Sequence, residues 1–209
     1  MAGHSIPAEW FKHGFSGSMA MEVPESEGGL SAETRAKIEA GDTIFYAKNN
    51  EAMKFVSPVS GTLTKIERGP KRVITALTIE ADQKDTFMDY GVKTPESLSS
   101  QEIKNHLLAT GCWPFVKQRP YDVIANPNIK PKAIFISGLA TGPLDADLDF
   151  VLQGKQKEVQ TAITALSKLT QGAIHLTVAK DSVSMLSELD HVVLHKTNVF
   201  YLNVSRAPF

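Results

Sequence analysis

The sequence is poor in cysteine: its 209 residues include one, Cys112. A single cysteine cannot form an internal disulfide, and it rules out iron–sulfur clusters and cysteine-rich zinc sites built from this chain alone. We therefore expect a reducing, cytosolic compartment. Because Cys112 lies in the apolar segment Gly111–Phe115 with no histidine beside it, we predict a packed thiol rather than a catalytic nucleophile.

Long apolar runs and an excess of charge are also missing. No apolar stretch approaches the roughly 18–20 residues that cross a bilayer, and the N-terminal segment has no run suited to a secretory signal peptide. The net charge is −1, from 22 basic and 23 acidic residues, so nucleic acid is not an expected partner. We treat residues 1–30 as a leader or as unassigned.

Residues 31–84 have the pattern of a small β domain. Short apolar strands alternate with polar or glycine-containing turns, at about residues 43–46, 54–56, 62–66 and 73–79. Strands this short with regular turn signals are typical of a barrel or sandwich. The segment predicts a barrel-sandwich fold like that of biotinyl- and lipoyl-carrying domains.

The rest of the chain predicts a linker and an α/β domain. Residues 85–131 form the linker, with one helix at about 99–110 that begins at a capping box of Ser99 and Glu102. From 132 to 209, strands alternate with helices, which indicates a mostly parallel sheet covered on both faces. The predicted elements are strands at 133–136, 173–178, 192–194 and 199–202 and helices at 155–169 and 183–189.

Lys54 raises the question of a carrier function. It lies in the stretch NEAMKFVSPVSGTL, and EAMK surrounds the modified lysine of biotin-carrying domains. In that pattern the lysine lies at the tip of a hairpin, at the spacing from the following proline that Asn50 has from Pro58 here. Lys54 is too close to Pro58 to lie at the tip. We therefore predict the barrel without a carrier lysine.

Several stretches of this chain occur together, and in the same order, in one known family. They are Gly41–Phe45, Phe55–Gly61, Arg68–Arg72, Lys117–Asp122, Pro143–Asp149 and Val151–Thr170. In this order and spacing they resemble the NqrA family, the first-named subunits of the Na⁺-translocating NADH:quinone oxidoreductase, over roughly residues 40–180. The RnfC family of the Rnf complex has a similar start, but it brings ferredoxin-like cysteine clusters, which one cysteine cannot supply.

The resemblance implies a peripheral subunit on the cytoplasmic face of the bacterial inner membrane, with no transmembrane segment of its own. Its complex would pass electrons from NADH through flavins to quinone while Na⁺ moves outward. This subunit would contribute to quinone reduction and assembly, with the other subunits as partners and quinone as substrate. NADH and flavins would be bound elsewhere, and this chain would hold no cofactor firmly and would not be catalytic in isolation. It resembles a fragment or short form.

An aromatic-rich segment supplies the candidate quinone site. Such a site needs flat apolar walls and a donor for each carbonyl oxygen, and Trp113, Phe115, Arg119 and Tyr121 have that chemistry. A linker packed between two domains needs the same residue types, so packing remains an alternative interpretation.

The turn after residue 67 carries the basic residues Arg68, Lys71 and Arg72. A solvated turn explains such a group. The alternative is a docking patch for acidic surfaces of the complex or for anionic lipid headgroups.

Other kinds of site lack their patterns. A dinucleotide loop needs Gly-x-Gly-x-x-Gly between a strand and a helix, whereas the sequence after residue 136 offers Gly138 and Gly142 only. The acidic residues Asp145, Asp147 and Asp149 follow and are interpreted as a solvated loop. The six histidines are scattered, without a pair at helical i, i+4 spacing, so neither a metal site nor a catalytic residue is assigned.

Two other functions stay open. The chain could be a non-enzymatic protein-docking module with a biotinyl-like barrel, or a biotinyl or lipoyl carrier after all. Saturable quinone binding distinguishes a redox subunit from the docking module, and added covalent mass would indicate the carrier.

Overall fold

The computed structural model describes residues 4–6, 21–22, 37–47, 50–68, 70, 74–139, 145–180 and 185–198. The chain divides into two compact units. The first unit comprises residues 1–92 and 104–129, and the second comprises residues 93–103 and 130–209. The domain boundaries that the sequence predicts at residues 31, 85 and 132 remain a prediction.

Strands dominate the first unit, and strands and helices alternate in the second. The described strands are β1 (His4–Ile6), β2 (Met21–Glu22), β3 (Lys37–Ile38), β4 (Thr43–Ala47), β5 (Asn50–Val56), β6 (Gly61–Arg68), β7 (Ile74–Ala81), β8 (Lys117–Gln118), β9 (Val123–Ile124), β10 (Ile134–Gly138), β11 (Ile174–Ala179) and β12 (Val192–Thr197). The described α-helices are α1 (Ser100–Ala109), α2 (Leu148–Val151) and α3 (Gln156–Ser167), and 3₁₀ turns span Pro95–Ser97, Trp113–Phe115 and Met185–Glu188.

The first unit contains two small antiparallel sheets. One has the strand order β1-β7-β6-β3, and the other has the order β2-β4-β5. A separate hairpin pairs β8 with β9. Short strands joined by polar turns, as the sequence predicts, therefore form the barrel-sandwich part of the fold.

Alternating apolar residues fill the core of the first unit. On β7, Leu77 and Ile79 are fully buried, because residues two apart on a strand lie on the same face. They meet Ile44 and Phe45 of β4, and the Phe45 ring stacks on Phe55 of β5 at a centroid distance of 4.5 Å. Burying each such side chain contributes roughly 1.5–3 kcal/mol, so this cluster holds the two sheets together.

Helix α1 begins where its capping box predicts. The Ser99 amide and hydroxyl both donate to Glu102 Oε2, at 2.8 and 2.6 Å, and the Glu102 amide donates to Ser99 Oγ at 3.3 Å. The hydrogen bond from the Ser99 side chain, followed by the bond from its backbone, lowers the pKa of Glu102. The exchange satisfies amides that the first helical turn leaves without partners.

The second unit is built on a three-stranded parallel sheet of order β10-β11-β12. Strand β11 alternates strictly, with Ile174, Leu176 and Val178 buried and the residues between them half-buried. The buried face packs against Val159, Ile163 and Leu166 of α3 together with Leu186 and Leu189. Hydrophobic periodicity in the sequence predicts both the central strand and this helix.

The described residues cover only one face of this sheet, whereas the sequence pattern predicts two covered faces. On the other face, Phe135 of β10 is 76% exposed and Val193 of β12 is 44% exposed. The predicted helix at 183–189 is a 3₁₀ turn at Met185–Glu188, and the predicted strand at 199–202 lies outside the described residues.

The Lys168 ammonium group ties a distant segment into the second unit. Lys168 follows the last residue of α3, and its Nζ donates to the carbonyls of Pro95, Glu96 and Leu98 at 2.7, 2.7 and 2.8 Å. An ammonium group is a three-donor cap, and hydrogen bonds from a charged donor are stronger than neutral ones. This contact fixes residues 95–98, about 70 residues earlier in the chain, to the end of α3.

Replacing Lys168 with methionine tests this contact. The side chain keeps its length but loses all three hydrogen bonds, so Lys168→Met lowers the free energy of unfolding by at least about 1.5 kcal/mol. Urea denaturation followed by circular dichroism measures the change. The control is Lys157→Met on exposed α3 surface, and equal stability of the two variants would contradict the assigned role.

Candidate functional site

Lys54 lies inside a strand. Its Cα pairs with that of Tyr46 across β4 and β5, and the connection between these strands falls between Ala47 and Asn50. A carrier lysine must lie at an exposed tip so that its attached group can reach other active sites. Lys54 is four residues along the strand from Asn50 and half-buried, which places it away from the turn.

The turn that follows β5 is held by buried serines. Ser57 and Ser60 are each 2% exposed. The Ser57 amide donates to the Asp42 carbonyl at 2.8 Å, and its hydroxyl donates to the Val59 carbonyl at 2.6 Å. The Ser60 hydroxyl donates to Asp82 Oδ1 at 2.7 Å. The motif VSPVSG therefore ties the start of β4 and the end of β7 to one turn, which is a structural role.

Asp82 and Gly61 complete this turn. The Ser60 hydroxyl, and then the Lys84 amide, donate to the Asp82 carboxylate and lower its pKa. At Gly61 a side chain would press its Cβ against the carbonyl oxygen of Glu80 on β7. Only glycine permits this close approach of two strands.

Trp113 anchors the aromatic segment. It begins the 3₁₀ turn Trp113–Phe115, is 6% exposed, and donates its indole N–H to the Ala125 carbonyl at 2.7 Å. The amides of Val116 and Ala125 donate to the carbonyls of Trp113 and Val116, each at 2.9 Å. Trp113 thus joins the two ends of the β8–β9 hairpin, and its N–H is already engaged within the chain.

Phe115, Arg119 and Tyr121 lie on the outside of this segment. Phe115 is 73% exposed just before β8, and Tyr121 is 82% exposed in the turn between β8 and β9. Arg119 lies in the same turn, with its Nη1 3.6 Å from Asp122 Oδ1. Both of these side chains are largely exposed, so the ion pair contributes little to stability. The structure therefore separates the four candidate residues into one buried anchor and three displayed side chains, and we define residues 113–125 as the anchored hairpin.

Cys112 corrects one expectation. The thiol is exposed, so the prediction of a packed thiol is wrong. The Cys112 amide donates to the Leu107 carbonyl at 3.0 Å and ends the helix, and the buried place beside it goes to Trp113. A larger apolar side chain gains more from burial than a thiol does, and local sequence gives no indication of which of two neighbours turns inward.

The basic turn is described only at its first residue. Arg68 is the last residue of β6 and is exposed, and its Cα pairs with that of Ile74 on β7. Lys71 and Arg72 lie outside the described residues.

The acidic run has a structural member. Asp147 caps α2, where its Oδ1 accepts from the amides of Asp149 and Phe150 at 3.0 and 3.3 Å. A carboxylate at this position satisfies amides of the first helical turn. The expectation of a simple solvated loop is therefore incomplete, because Asp147 starts a helix.

Tyr90 makes a partly buried contact that the sequence does not signal. Its hydroxyl donates to the Gly41 carbonyl at 2.7 Å, and its ring lies edge-on to His106 at a centroid distance of 6.5 Å. Burial, and then the charges of Asp42 and Cys112, raise the pKa of the phenol. Tyr90 therefore stays protonated and supports the turn before β4.

An apolar groove of about 440 Å³ lies in the second unit. It runs along α3 and is lined mostly by the core side chains of that unit, among them Leu152, Val159 and Leu186. Lys155 and Glu158 stand at the groove 3.7 Å apart. Ligand sites combine apolar walls with convergent polar groups, and this exposed pair does not converge on the groove with another polar side chain among its lining residues.

Membrane-spanning and metal-binding features are not found among the described residues. None of the helices in this part of the chain is both long and apolar enough to span a membrane. Within the same residues, no three side chains of histidine, cysteine, aspartate or glutamate converge as a metal site.

Comparison with known proteins points to one family. A family model described as the NqrA N-terminal barrel-sandwich hybrid domain matches residues 21–82, and a model described as the NqrA second alpha/beta domain matches residues 98–200. The two models follow each other in the order of the two units and extend beyond residues 40–180 at both ends.

Curated relatives carry the same family name. The NqrA subunit of the Na(+)-translocating NADH-quinone reductase of Histophilus somni (strain 2336) is 31% identical over 160 residues, which cover 76% of this chain and 36% of the relative. The corresponding subunit of Haemophilus influenzae (strain PittGG) is 32% identical over 161 residues, with the same coverage. That of Yersinia pseudotuberculosis serotype O:1b (strain IP 31758) is 32% identical over 142 residues, or 67% and 32%. The match thus spans about a third of the length of these relatives.

Removing the indole N–H tests the anchor of the hairpin. Trp113→Phe keeps an aromatic ring but leaves the Ala125 carbonyl without that donor, so the free energy of unfolding falls by about 1–3 kcal/mol. Thermal denaturation of the whole chain measures it. The control, Phe115→Ala, removes an exposed ring and leaves stability within about 0.5 kcal/mol; a larger loss in the control than in Trp113→Phe would refute the assignment.

Proposed function

The chain belongs to the NqrA family, and on that premise we propose that it acts as a peripheral subunit of a Na⁺-translocating NADH:quinone reductase. Its role there is to dock on other subunits through the anchored hairpin and to contribute to quinone reduction at that interface. Relatives named as NqrA subunits of this reductase support the proposal. A chain that matches about a third of those relatives carries part of the subunit's surface, and the hairpin belongs to that part.

The display of Phe115 and Tyr121 carries this proposal. Each ring is at least 73% exposed, although large aromatic side chains are among the residues that gain most from burial. Exposed aromatic residues near an arginine are the composition of interface hot spots, where tyrosine, tryptophan and arginine are enriched. Arg119, in the same turn as Tyr121, supplies the arginine.

The hairpin is also suited to docking because it is preorganised. The Trp113 indole and the backbone bonds at Val116 and Ala125 fix both of its ends before any partner arrives. A binding element that is already ordered loses less conformational entropy on association. The exposed side chains are therefore presented on a supported backbone.

A contribution to quinone binding would use the same residues. The Tyr121 hydroxyl and the Arg119 guanidinium are donors suited to quinone carbonyl oxygens, and the Phe115 ring is a flat apolar wall. Quinone sites are enclosed, whereas these three side chains face outward. A partner surface would have to close the site, so docking and quinone binding are one proposal rather than two.

The redox groups of the complex are assigned to other subunits. One cysteine cannot ligate an iron–sulfur cluster, and the sequence after β10 lacks the glycine spacing of a dinucleotide loop. We expect the isolated chain not to oxidise NADH. Its place at the cytoplasmic face of the inner membrane, with Arg68, Lys71 and Arg72 toward acidic protein or lipid surfaces, belongs to the same proposal.

The second candidate function is a docking module with no part in quinone chemistry. The outward position of all three displayed side chains favours it, because an open surface needs only a protein partner. The two functions differ in what the Tyr121 hydroxyl does: quinone binding needs it as a donor, and docking needs chiefly the ring.

Substitutions in the assembled complex test the proposal. Phe115→Ala and Tyr121→Ala are expected to weaken association with the other subunits by at least about 30-fold, the equivalent of about 2 kcal/mol at a hot spot. Affinity between the purified chain and the rest of the complex measures it. Phe150→Ala removes a ring that is 77% exposed in the second unit and serves as the matched control. Association unchanged by all three substitutions would refute docking through the hairpin.

Tyr121→Phe separates the two functions. It keeps the ring, so the complex assembles. If the hydroxyl contacts quinone, the KM for quinone in NADH-dependent reduction rises while association stays unchanged. An unchanged KM together with weakened association in Tyr121→Ala would leave the docking module as the function.

A further inference from the structure

Two histidines meet on the open face of the parallel sheet. His175 lies on β11 and His195 on β12, 20 residues apart in the sequence. In the sheet register His175 is level with Phe135 and Val193, and His195 is level with Thr177 and Ser137. The two histidines are therefore diagonal neighbours on the face opposite α3. A search for helical spacing in the sequence cannot find a pair that parallel strand pairing creates.

Their ring nitrogens are within direct contact. His175 Nδ1 and His195 Nε2 are 2.9 Å apart, and the ring centroids are 5.2 Å apart with planes inclined by 37°. Two nitrogens at this distance share one proton, so one ring donates N–H and the other offers its lone pair. The simplest interpretation is a surface hydrogen bond between two neutral imidazoles.

The same separation fits two ligands of one metal ion. Zinc binds histidine nitrogen at about 2.0–2.1 Å, so two nitrogens in neighbouring coordination positions lie about 2.9–3.4 Å apart. The observed 2.9 Å falls at the short end of this range. The rings need to turn and separate by a few tenths of an ångström, and no backbone movement is required.

The neighbourhood supports a ligand pair rather than opposing it. The Phe135 ring stacks on the His175 ring at a centroid distance of 4.9 Å and an interplanar angle of 16°. This stack restricts the orientation of the imidazole, as outer groups commonly do for histidine ligands. His195 is exposed and His175 is half-buried, so an ion can approach from solvent. The other side chains level with them on this face, Ser137, Thr177 and Val193, carry no charge that would repel a cation.

We propose that His175 and His195 form an open, two-histidine site for a divalent transition-metal ion, with Zn²⁺ as the representative ligand. Imidazole nitrogen suits zinc, copper and nickel and disfavours magnesium and calcium. Two of the four positions of tetrahedral zinc stay available for water or for a donor atom from another molecule. The site thus differs from a closed structural zinc site, which takes all four ligands from the protein.

Metal binding changes only the proton that the pair shares. The N–H of the donating ring moves to the other nitrogen of that ring, and both facing lone pairs then point to the ion. The neutral pair binds without net release of a proton. A protonated imidazole has no lone pair at that nitrogen, so binding weakens as the solution is acidified from about pH 8 to about pH 5.5.

Calorimetric titration of the untagged full chain with Zn²⁺ tests the site. His175→Ala and His195→Ala are each expected to weaken binding at least about tenfold, since even the loss of an outer-shell group commonly costs about 10–100-fold in metal affinity. His191→Ala is the matched control, because it removes an exposed histidine that precedes β12 and leaves the pair intact. Its affinity is expected to equal that of the unchanged chain.

Nitrogen NMR of the imidazoles provides a readout that needs no variant. Zn²⁺ is expected to shift His175 Nδ1 and His195 Nε2 together, with the same saturation curve. Shifts confined to other histidines, or no saturable Zn²⁺ binding, would overturn the proposal. So would a loss of affinity in His191→Ala as large as that in His175→Ala.

Discussion

The hydrogen bond from the Trp113 indole to the Ala125 carbonyl is the constraint on which the functional surface depends. It buries the largest side chain of the aromatic segment and closes the base of the β8–β9 hairpin. Once Trp113 is inside, Phe115 and Tyr121 are left outside on a backbone that is already ordered. The same residue types thus play two roles. One ring supplies stability through burial and a satisfied N–H, and the others supply an exposed surface that a partner can cover.

A comparable division of roles explains the barrel. The stretch NEAMKFVSPVSGTL looks like the neighbourhood of a carrier lysine, but that appearance comes from the turn that it builds. Ser57 and Ser60 are buried because they bond to Val59, Asp42 and Asp82, and Gly61 allows two strands to approach closely. These requirements are those of the scaffold. Lys54 is only a neighbour within the strand, so the scaffold exists without requiring the chemistry of a carrier.

Features set by local sequence could be predicted, and features set by distant contacts could not. The capping box at Ser99, the apolar stripe of α3 and the alternation of β11 follow from residues a few positions apart. By contrast, the three carbonyls bound by Lys168 lie about 70 residues away, and the contact between His175 and His195 requires the register of two parallel strands. The exposure of Cys112 beside buried Trp113 depends on which side chain the folded unit can enclose. In the candidate site, the residue types were predictable and their division into anchor and surface was not.

Photochemical cross-linking from position 121 tests the central claim most directly. A photoreactive phenylalanine analogue in place of Tyr121 is introduced into the chain within the assembled complex, and the cross-linked products are identified by mass spectrometry. We expect a product that joins this chain to another subunit, at higher yield than from the same analogue in place of Phe150. Efficient cross-linking from position 150 with none from position 121 would contradict the claim, because the hairpin would then face solvent in the complex.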